Sequence, residues 1–463
     1  MNIAKTMENP SATKALFHHL LAIIVCLPLP LASNRPWAWY LMEAWIFGLF
    51  AIWMLLMFKH KTRMPEYWKK CWLPLLTLAS FAGFTFFQLT PLNHSHHAIG
   101  ILNDIKWNQF SLDPHATVDH LLKTLAYLCL FILTIALLTT EKKIKSTLTI
   151  FFLSGLFQAS YGALMTLSNL EYIFLMKKEY YIGLATGTFV NRNHFANYLI
   201  MCIAAGTALL LIDFSLQKAK SWKERIIGIL YFIMSKKMLL RIGIAMIVVG
   251  IVLSRSRMGN VSFFVSLIIA GLFWMILTKR ISRKAIILLV SFIVIDLWVV
   301  GNWFGFEKVQ ARLQNTSAST ETRDEVIRDT VVYIKDHPML GTGGGSYYSV
   351  YPHYKSPDVN GYYNHTHNDY LQIISEYGFI GISIIAILVL STAFIAITTM
   401  LKRRNPVMQA VGFMCLMTIT ALLMHSLVDF NLQMMANAAS VIIIFALGWV
   451  SRYIPTNMNT RQH

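Results

Sequence analysis

The stretch FIGISIIAILVLSTAFIAITTM, from Phe379 to Met400, contains no charged residue. An apolar run of about 18 residues or more is long enough to cross the hydrocarbon core of a bilayer as an α-helix. This stretch is therefore predicted to be a membrane-spanning helix.

Similar apolar runs recur along the whole chain of 463 residues, of which 56% are hydrophobic and 13% charged. A soluble domain has about 25% charged residues. We count about twelve runs of sufficient length. The predicted fold class is thus all-α, a polytopic membrane helix bundle of about 12 transmembrane helices. The runs begin near Ala15, Trp37, Trp72, Asp119, Thr147, His194, Ile242, Val261, Ala285, Phe379, Val407 and Met434.

Basic residues mark one side of the predicted bundle. Alternate connections carry the clusters KHKTR, EKKIK, KRISRK and LKRRN, and such clusters favour the cytoplasmic side. Both termini are then predicted to lie in the cytoplasm. The formal net charge of +18 is interpreted as a topology signal and an affinity for anionic membrane lipids. No nucleic-acid partner is expected, because the basic residues form no compact domain.

Three arginines depart from this pattern, because Arg192, Arg255 and Arg257 fall on the opposite, outer side and directly adjoin predicted spans. An ionisable group at the membrane is costly and is usually kept for function. A guanidinium group matches paired phosphate oxygens with its planar fork of donors, so these arginines are candidates for binding a pyrophosphate. The alternative is snorkelling to lipid headgroups or a structural ion pair.

The outer sequence NHTHNDYL, Asn364 to Leu371, concentrates polar groups at the edge of a predicted span. His365 or His367 can act as a general base, because an imidazole is partly neutral at ordinary pH. Neighbouring polar side chains would fix its tautomer: Asn364, Asn368, Asp369 and Glu376. If the segment NDYLQIISEYG, which begins at Asn368, is helical, His367 and Leu371 share a helix face. Two alternatives stay open, a metal site and a histidine that only caps the helix.

The rest of the large outer loop, residues 305–377, has three parts. A charged, helix-permissive segment (ETRDEVIRDTVVYIKDHP) ends at Pro338. The stretch GTGGGS, residues 341–346, is predicted to be a flexible turn. The alternative is that its amides line an anion site. The tyrosine-rich run from Tyr347 to Tyr363 can stack on sugar rings or form an interfacial aromatic belt. Separately, NHSHH at residues 93–97 is interpreted as an exposed loop rather than a metal site.

Five stretches in this order resemble the O-antigen ligase and O-antigen polymerase superfamily, over residues 186 to 440. They are TGTFVNRNHFANYL, SRSRMG, IRDTVVYIKDHPMLGTGGGSYYSVYP, NHTHNDYLQIISEYGFIG and HSLVDFNLQMMANA. The resemblance implies a GT-C-like membrane bundle with one large periplasmic loop. The predicted organisation is N-terminal transmembrane helices over 1–185, an O-antigen ligase-like membrane domain over 186–450 that includes the loop 305–377, and a cytoplasmic tail over 451–463.

The resemblance also implies an activity. Such enzymes, in the bacterial inner membrane, take a glycan from an undecaprenyl-diphosphate-linked donor on the periplasmic side. They transfer it with inversion to an acceptor glycolipid or glycan, without a nucleotide, a metal or another cofactor.

Roles for individual residues follow from the same resemblance. The superfamily's catalytic histidine falls on His367, with His365 as the second candidate. Its diphosphate-binding arginines fall on Arg192 and on Arg257, with Arg255 a close second. A third phosphate contact is expected from Arg323 or Arg328. Asn193 and Asn368 are further candidates for substrate binding.

The acceptor is the main alternative that the sequence leaves open. An O-antigen ligase uses lipid A–core, a polymerase uses another lipid-linked glycan, and a protein O-oligosaccharyltransferase uses serine or threonine. The sequence slightly favours the ligase. A transporter or flippase would place charged or broken helices at mid-membrane, whereas the polar groups here gather at one surface. A receptor or scaffold without chemistry is a third class.

Overall fold

A computed structural model of the protein describes residues 10–61, 63–97, 106–212, 236–279, 323–359 and 361–455. The fold is an all-helical polytopic membrane bundle, as the composition predicts. Within these ranges, ten helices are long and apolar enough to cross a membrane. The run near Ala15 forms a shorter apolar helix, and the run near Ala285 lies outside the described residues. These two runs account for the difference from the twelve that the sequence predicts.

The helices of four residues or more are numbered here in chain order. They are α1 Pro10–Cys26, α2 Pro36–His60, α3 Trp72–Gln88, α4 Pro114–Leu137, α5 Glu141–Leu167, α6 Arg192–Ile212, α7 Lys236–Ser254, α8 Arg257–Thr278, α9 Arg323–Asp336, α10 Tyr347–Val350, α11 Asp369–Lys402, α12 Pro406–His425 and α13 Met435–Tyr453. In the described parts of the chain, four 3₁₀ helices occupy Leu31–Ser33, Glu66–Cys71, Tyr351–His353 and Asn431–Gln433.

Among the described residues, two short antiparallel hairpins interrupt the helical pattern, and the sequence analysis did not predict them. One pairs β1 (Pro91–His97) with β2 (Lys106–Gln109), and the other pairs β3 (Tyr172–Ile173) with β4 (Met176–Lys177). Both lie in connections that are predicted from the sequence to be outer loops. They leave the helical class unchanged.

The centre of the bundle is formed by α6, α12 and α13. In the most apolar window of these helices, 89%, 83% and 94% of the residues are buried, against 28% in both α2 and α11. Helix α12 packs on α6, α8, α11 and α13. Because lipid tails are as apolar as leucine, helices in a bilayer associate through close packing at small residues. At Gly155 of α5, a Cβ atom would lie 2.2 Å from the Cβ of Cys202 in α6.

Helix α11 is broken at Gly378, which has φ 63° and ψ −170°. The sequence places the start of this span at Phe379, and the structure shows a separate segment before it, Asp369–Tyr377. A Cβ atom at Gly378 would come within 2.1 Å of the carbonyl oxygen of Met339. Only glycine therefore allows the large loop to approach α11 at this point.

Residues 341–346 include a turn at 344–346, as predicted, but the predicted flexibility is wrong, because hydrogen bonds hold this stretch in the protein interior. The amides of Thr342 and Gly343 donate to the carbonyl oxygens of Ser375 and Glu376 at 3.1 and 2.9 Å. The amide of Gly344 donates to Oε1 of Gln88 at 3.2 Å. These amides are satisfied within the protein, so they do not line an anion site.

Candidate active site

Three helices begin at the same end of the bundle, each with a polar cap. Asn191 accepts a hydrogen bond from the amide of Asn193 at 2.8 Å before α6. Ser256 caps α8 at 3.1 Å, and Asn368 caps α11 at 3.1 Å. An asparagine or serine in this position satisfies an amide that the helix leaves without a partner. The partial positive charge of each N-terminus consequently faces the same region.

Close contacts bring these helix starts together. A Cβ atom at Gly259, in the first turn of α8, would lie 2.7 Å from the Cβ of Ala196 in α6. The loop between α12 and α13 connects the start of α6 to the start of α11. Its Asp429 contacts the side chains of Asn193 and His194 in α6 and that of His367 just before α11. Arg192, Arg255, Arg257 and His367 therefore all lie at this end of the bundle.

Asp429 is the centre of the site, and its side chain has no exposed surface. Its Oδ2 accepts a hydrogen bond from Nδ2 of Asn193 at 2.5 Å. Its Oδ1 lies 3.4 Å from Nε2 of His194 and 3.7 Å from Nδ1 of His367. The two imidazole contacts are longer than ordinary hydrogen bonds and act mainly through electrostatics. One carboxylate thus faces two histidines from different segments, His194 in α6 and His367 just before α11.

The next residue, Phe430, orders three imidazole rings. Its ring centroid lies 4.7 Å from that of His194 and 4.8 Å from that of His367, both edge-on, and 4.3 Å from that of His365, which is stacked. Such geometries are favourable for aromatic pairs. Phe430 therefore fixes the orientation of both histidines in the NHTHNDYL stretch.

The electrostatics of the cluster follow from burial and from mutual charge. Burial acts to raise the pKa of Asp429, but the facing imidazoles of His194 and His367 outweigh it and hold this pKa well below its ordinary value. Burial, followed by the neighbouring His194 and His367, lowers the pKa of His365 to about 3. Asp429 is consequently ionised and His365 neutral at neutral pH.

His367 precedes α11 and does not belong to it, so the prediction that it shares a helix face with Leu371 is wrong. Its φ of 53° is left-handed, a conformation that costs energy outside glycine and is concentrated at functional sites. The preceding Thr366 donates its amide to Oε1 of Gln372 at 2.9 Å. This bond helps to hold the backbone beside His367.

Two of the residues predicted to fix the histidine tautomer, Asn368 and Asp369, have other partners. Nδ2 of Asn368 donates to the carbonyl oxygen of Leu427 at 2.9 Å, in addition to the capping bond. Asp369 accepts from the hydroxyl of Ser426 at 2.8 Å. These bonds attach α11 to the loop that follows α12. The carboxylate beside His367 is Asp429, which is distant in sequence.

The candidate arginines differ in their surroundings. Arg192 is half-buried, with its guanidinium 5.6 Å from the ring centroid of Tyr181. Arg255 and Arg257 are exposed, and in the described parts of the chain no hydrogen bond or ion pair engages their side chains. The side chain of Arg323 lies outside the described residues.

Arg328 forms ion pairs with two carboxylates of the large loop. Its NH1 and NH2 atoms lie 3.1 and 3.0 Å from the two carboxylate oxygens of Asp358. Its NH2 atom also lies 3.0 Å from Oδ1 of Asp329. This ion-pair network favours a structural role for Arg328 over contact with a phosphate.

Asp429 and Phe430 are the site residues that sequence reasoning missed. They fall in HSLVDFNLQ, interpreted as a last turn, although this stretch also carries part of the family resemblance. An acidic residue beside a membrane span was the available signal, because such residues are rare and usually functional. Among the described residues, no three histidine, cysteine, aspartate or glutamate side chains form a group that could hold a metal ion.

Fold and site together define the class: a polytopic membrane protein with a polar cluster of histidine, aspartate and arginine at one end of its helices. Residues 242–386 match the model of the O-antigen ligase family, Wzy_C. The chain thus carries a domain of this family, whose activity is the ligase- or polymerase-type transfer of lipid-linked glycans. No curated protein matches the chain significantly.

Proposed function

We propose that this protein is a glycosyltransferase of the bacterial inner membrane. It transfers a glycan from an undecaprenyl-diphosphate donor to an acceptor hydroxyl on the periplasmic side. The proposed type is the O-antigen ligase, with lipid A–core as acceptor. Support comes from the family match over residues 242–386 and from a site at one membrane boundary, where a lipid-linked donor and a polar acceptor can meet.

The observation that carries this proposal is the placement of His367 against Asp429. Nδ1 of His367 faces Oδ1 of Asp429 at 3.7 Å. A proton on Nδ1 is thereby favoured, and Nε2 is left as the basic nitrogen. Asp429 thus positions and polarises the base, while Phe430 fixes the plane of its ring.

In the proposed reaction, Nε2 of His367 removes the proton of the acceptor hydroxyl as its oxygen attacks the anomeric carbon. A new glycosidic bond forms, the bond from the anomeric carbon to the diphosphate oxygen breaks, and the lipid diphosphate leaves. Attack opposite the leaving group inverts the configuration. The leaving diphosphate gains negative charge, which Arg192 and Arg257 stabilise together with the N-termini of α6 and α8.

The test is glycan transfer by a His367→Ala variant. We expect transfer to be abolished while the protein still inserts in the membrane, because the base is lost and the helices are untouched. His353→Ala is the matched control, since His353 is an exposed loop histidine. Normal glycan display by the His367→Ala variant would remove this histidine from the mechanism.

A bacterial strain that lacks this protein distinguishes between the possible acceptors. When a ligase is absent, long polymer accumulates on the lipid carrier and none reaches the cell surface. When a polymerase is absent, only single-repeat products form. Gel analysis of the carrier-linked and surface glycans therefore separates the proposed ligase from a polymerase.

A further inference from the structure

Three basic side chains from three separate segments meet at the end of the bundle opposite to the candidate active site. Nζ of Lys70, in the 3₁₀ helix before α3, lies 5.5 Å from the ring centroid of Tyr453. The guanidinium carbon of Arg452, in the last turn of α13, lies 5.6 Å from the same centroid. Arg403, the residue after α11, donates from its NH2 atom to the carbonyl oxygen of Ile454 at 2.7 Å. All three charges therefore lie around the end of α13.

Helix packing holds this arrangement in place. The ring of Tyr453 lies 6.2 Å from that of Trp449, whose Nε1 donates to Oγ1 of Thr392 in α11 at 3.1 Å. Both α11 and the 3₁₀ helix Glu66–Cys71 pack on α13. The three cations are thus brought together by the tertiary structure and not by their positions along the chain.

The positive charge of this cluster is not balanced by the protein. In the described parts of the chain, no acidic side chain forms an ion pair with Lys70, Arg403 or Arg452, and this includes Glu66 in the same 3₁₀ helix as Lys70. Burial and then the neighbouring Arg452 lower the pKa of Arg403, because like charges repel. The C-terminal ends of α11 and α13 each supply about half a negative charge. About two positive charges are left without compensation.

Exposed apolar side chains adjoin the cluster. Trp68 and Trp72, on either side of Lys70 in sequence, are 38% and 60% exposed, and Leu401, just before Arg403, is 53% exposed. Tryptophan is enriched where a bilayer meets water. All three cations also belong to segments that the distribution of basic residues predicts to be cytoplasmic, and the cytoplasmic leaflet carries anionic lipids.

We propose that this cluster is a binding site for an anionic phospholipid of the cytoplasmic leaflet. The headgroup phosphate lies among Lys70, Arg403 and Arg452, and an acyl chain packs along Trp72 and Leu401. Guanidinium groups match the paired oxygens of a phosphate, and basic pockets between membrane helices on this side suit anionic headgroups. The occupant is a lipid and not a free phosphate, because exposed apolar side chains border the cations. This site is independent of the proposed function.

The experiment measures the thermal unfolding of purified, delipidated full-length protein in detergent. Dioleoyl phosphatidylglycerol is titrated, and dioleoyl phosphatidylcholine and inorganic phosphate are the comparison ligands. A ligand that binds only the folded protein raises the unfolding temperature. We expect phosphatidylglycerol alone to do so, since phosphatidylcholine has the same chains without net charge and inorganic phosphate has the charge without chains.

Two double variants, each losing one lysine and one arginine, locate the binding. Lys70→Gln with Arg452→Gln leaves the bond of Arg403 to α13 intact and should raise the half-saturating concentration of phosphatidylglycerol by about fivefold for each charge removed. Lys59→Gln with Arg63→Gln is the matched control, because both residues are exposed in a neighbouring basic connection. The control should bind the lipid as the wild type does.

A charge-retaining variant, Lys70→Arg with Arg452→Lys, guards against misfolding, and it should bind like the wild type. Equal stabilisation by phosphatidylcholine or by inorganic phosphate would overturn the proposed lipid site. Equal weakening in the two glutamine variants would also overturn it, because binding would then depend on the overall surface charge.

Discussion

At the scale of single residues, the position of Asp429 leads to a specific prediction for the rate of glycan transfer. Asp429→Asn retains the shape of the side chain but removes the charge that faces His194 and His367. We expect glycan transfer to fall by about 100-fold or more, the range lost when a general base is no longer supported. The rate of transfer by purified protein measures this effect.

Asp358→Asn is the control for that substitution. It also replaces a charged carboxylate by an amide, but at the exposed ion pair with Arg328, where pairs contribute little. Transfer by this variant should be close to that of the wild type. Equal activity of the Asp429→Asn variant would show that the carboxylate does not support the base.

The lowered pKa of His365 leads to a prediction of how the stability of the protein depends on pH. Its pKa in the folded protein is lowered to about 3, whereas an unperturbed histidine has a pKa of about 6.5. Between these values the unfolded chain binds a proton that the folded chain does not. The free energy of unfolding therefore decreases as the pH falls below about 6.5, by at most about 1.4 kcal/mol per pH unit.

The measurement is the apparent unfolding temperature at about pH 7.5 and at about pH 5, on either side of the ordinary histidine pKa. The His365→Asn variant should lose less stability on acidification than the wild type, because the buried group that resists protonation is gone. His353→Asn, at an exposed position, should behave as the wild type does. An unchanged acid sensitivity in the His365→Asn variant would contradict this origin.

The break at Gly378 matters at the scale of elements, because it separates the lipid-facing part of α11 from the segment that begins beside His367. We expect Gly378→Ala to cost about 3 kcal/mol or more, since left-handed strain is joined by a clash with rigid backbone. Thermal unfolding of the purified protein tests this. The control is Gly361→Ala, where φ is 90° and no atom lies within 4 Å of the added Cβ. This control isolates strain without a clash, so similar losses in both variants would show that the close approach at Met339 is unimportant.

Helix boundaries show what can be predicted at this scale. Charge-free runs such as Phe379–Met400 identify spans, because crossing a bilayer demands a minimum apolar length. Position relative to a helix is harder to predict. His367 lies before α11 because Asn368 acts as its cap, a choice that depends on contacts with Leu427 and other residues far along the chain.

At the scale of the whole molecule, the distribution of basic residues predicts which end of the bundle faces outward. Tyr362, in the large loop, is 89% exposed, and Arg404 is exposed in the connection between α11 and α12. In intact spheroplasts, a membrane-impermeant thiol reagent should label Tyr362→Cys, and should label Arg404→Cys only after permeabilisation. The parent chain controls for its own cysteines, which are all at least partly buried. The reverse labelling pattern would place the site on the cytoplasmic side and overturn the proposed function.

The sequence by itself determined the membrane class, the positions of most spans and the polar residues that gather near span ends. These features depend on local composition, because the bilayer imposes the same length and polarity requirement on each segment separately. The identities of His367 and Arg192 as candidates also came from the sequence. The chemical roles of these two residues stay predictions, as do the domain boundaries of the chain.

Only the tertiary structure decided which residues meet. Asp429 and His367 belong to different loops, and Asn193 and His194 come from a third segment, so no local pattern specifies their contacts. The GTGGGS turn is likewise rigid because Gln88 and the residues before Gly378 accept its amides. Helix packing creates such contacts by burying polar groups that must then find partners, and these partners are set by the fold rather than by proximity along the chain.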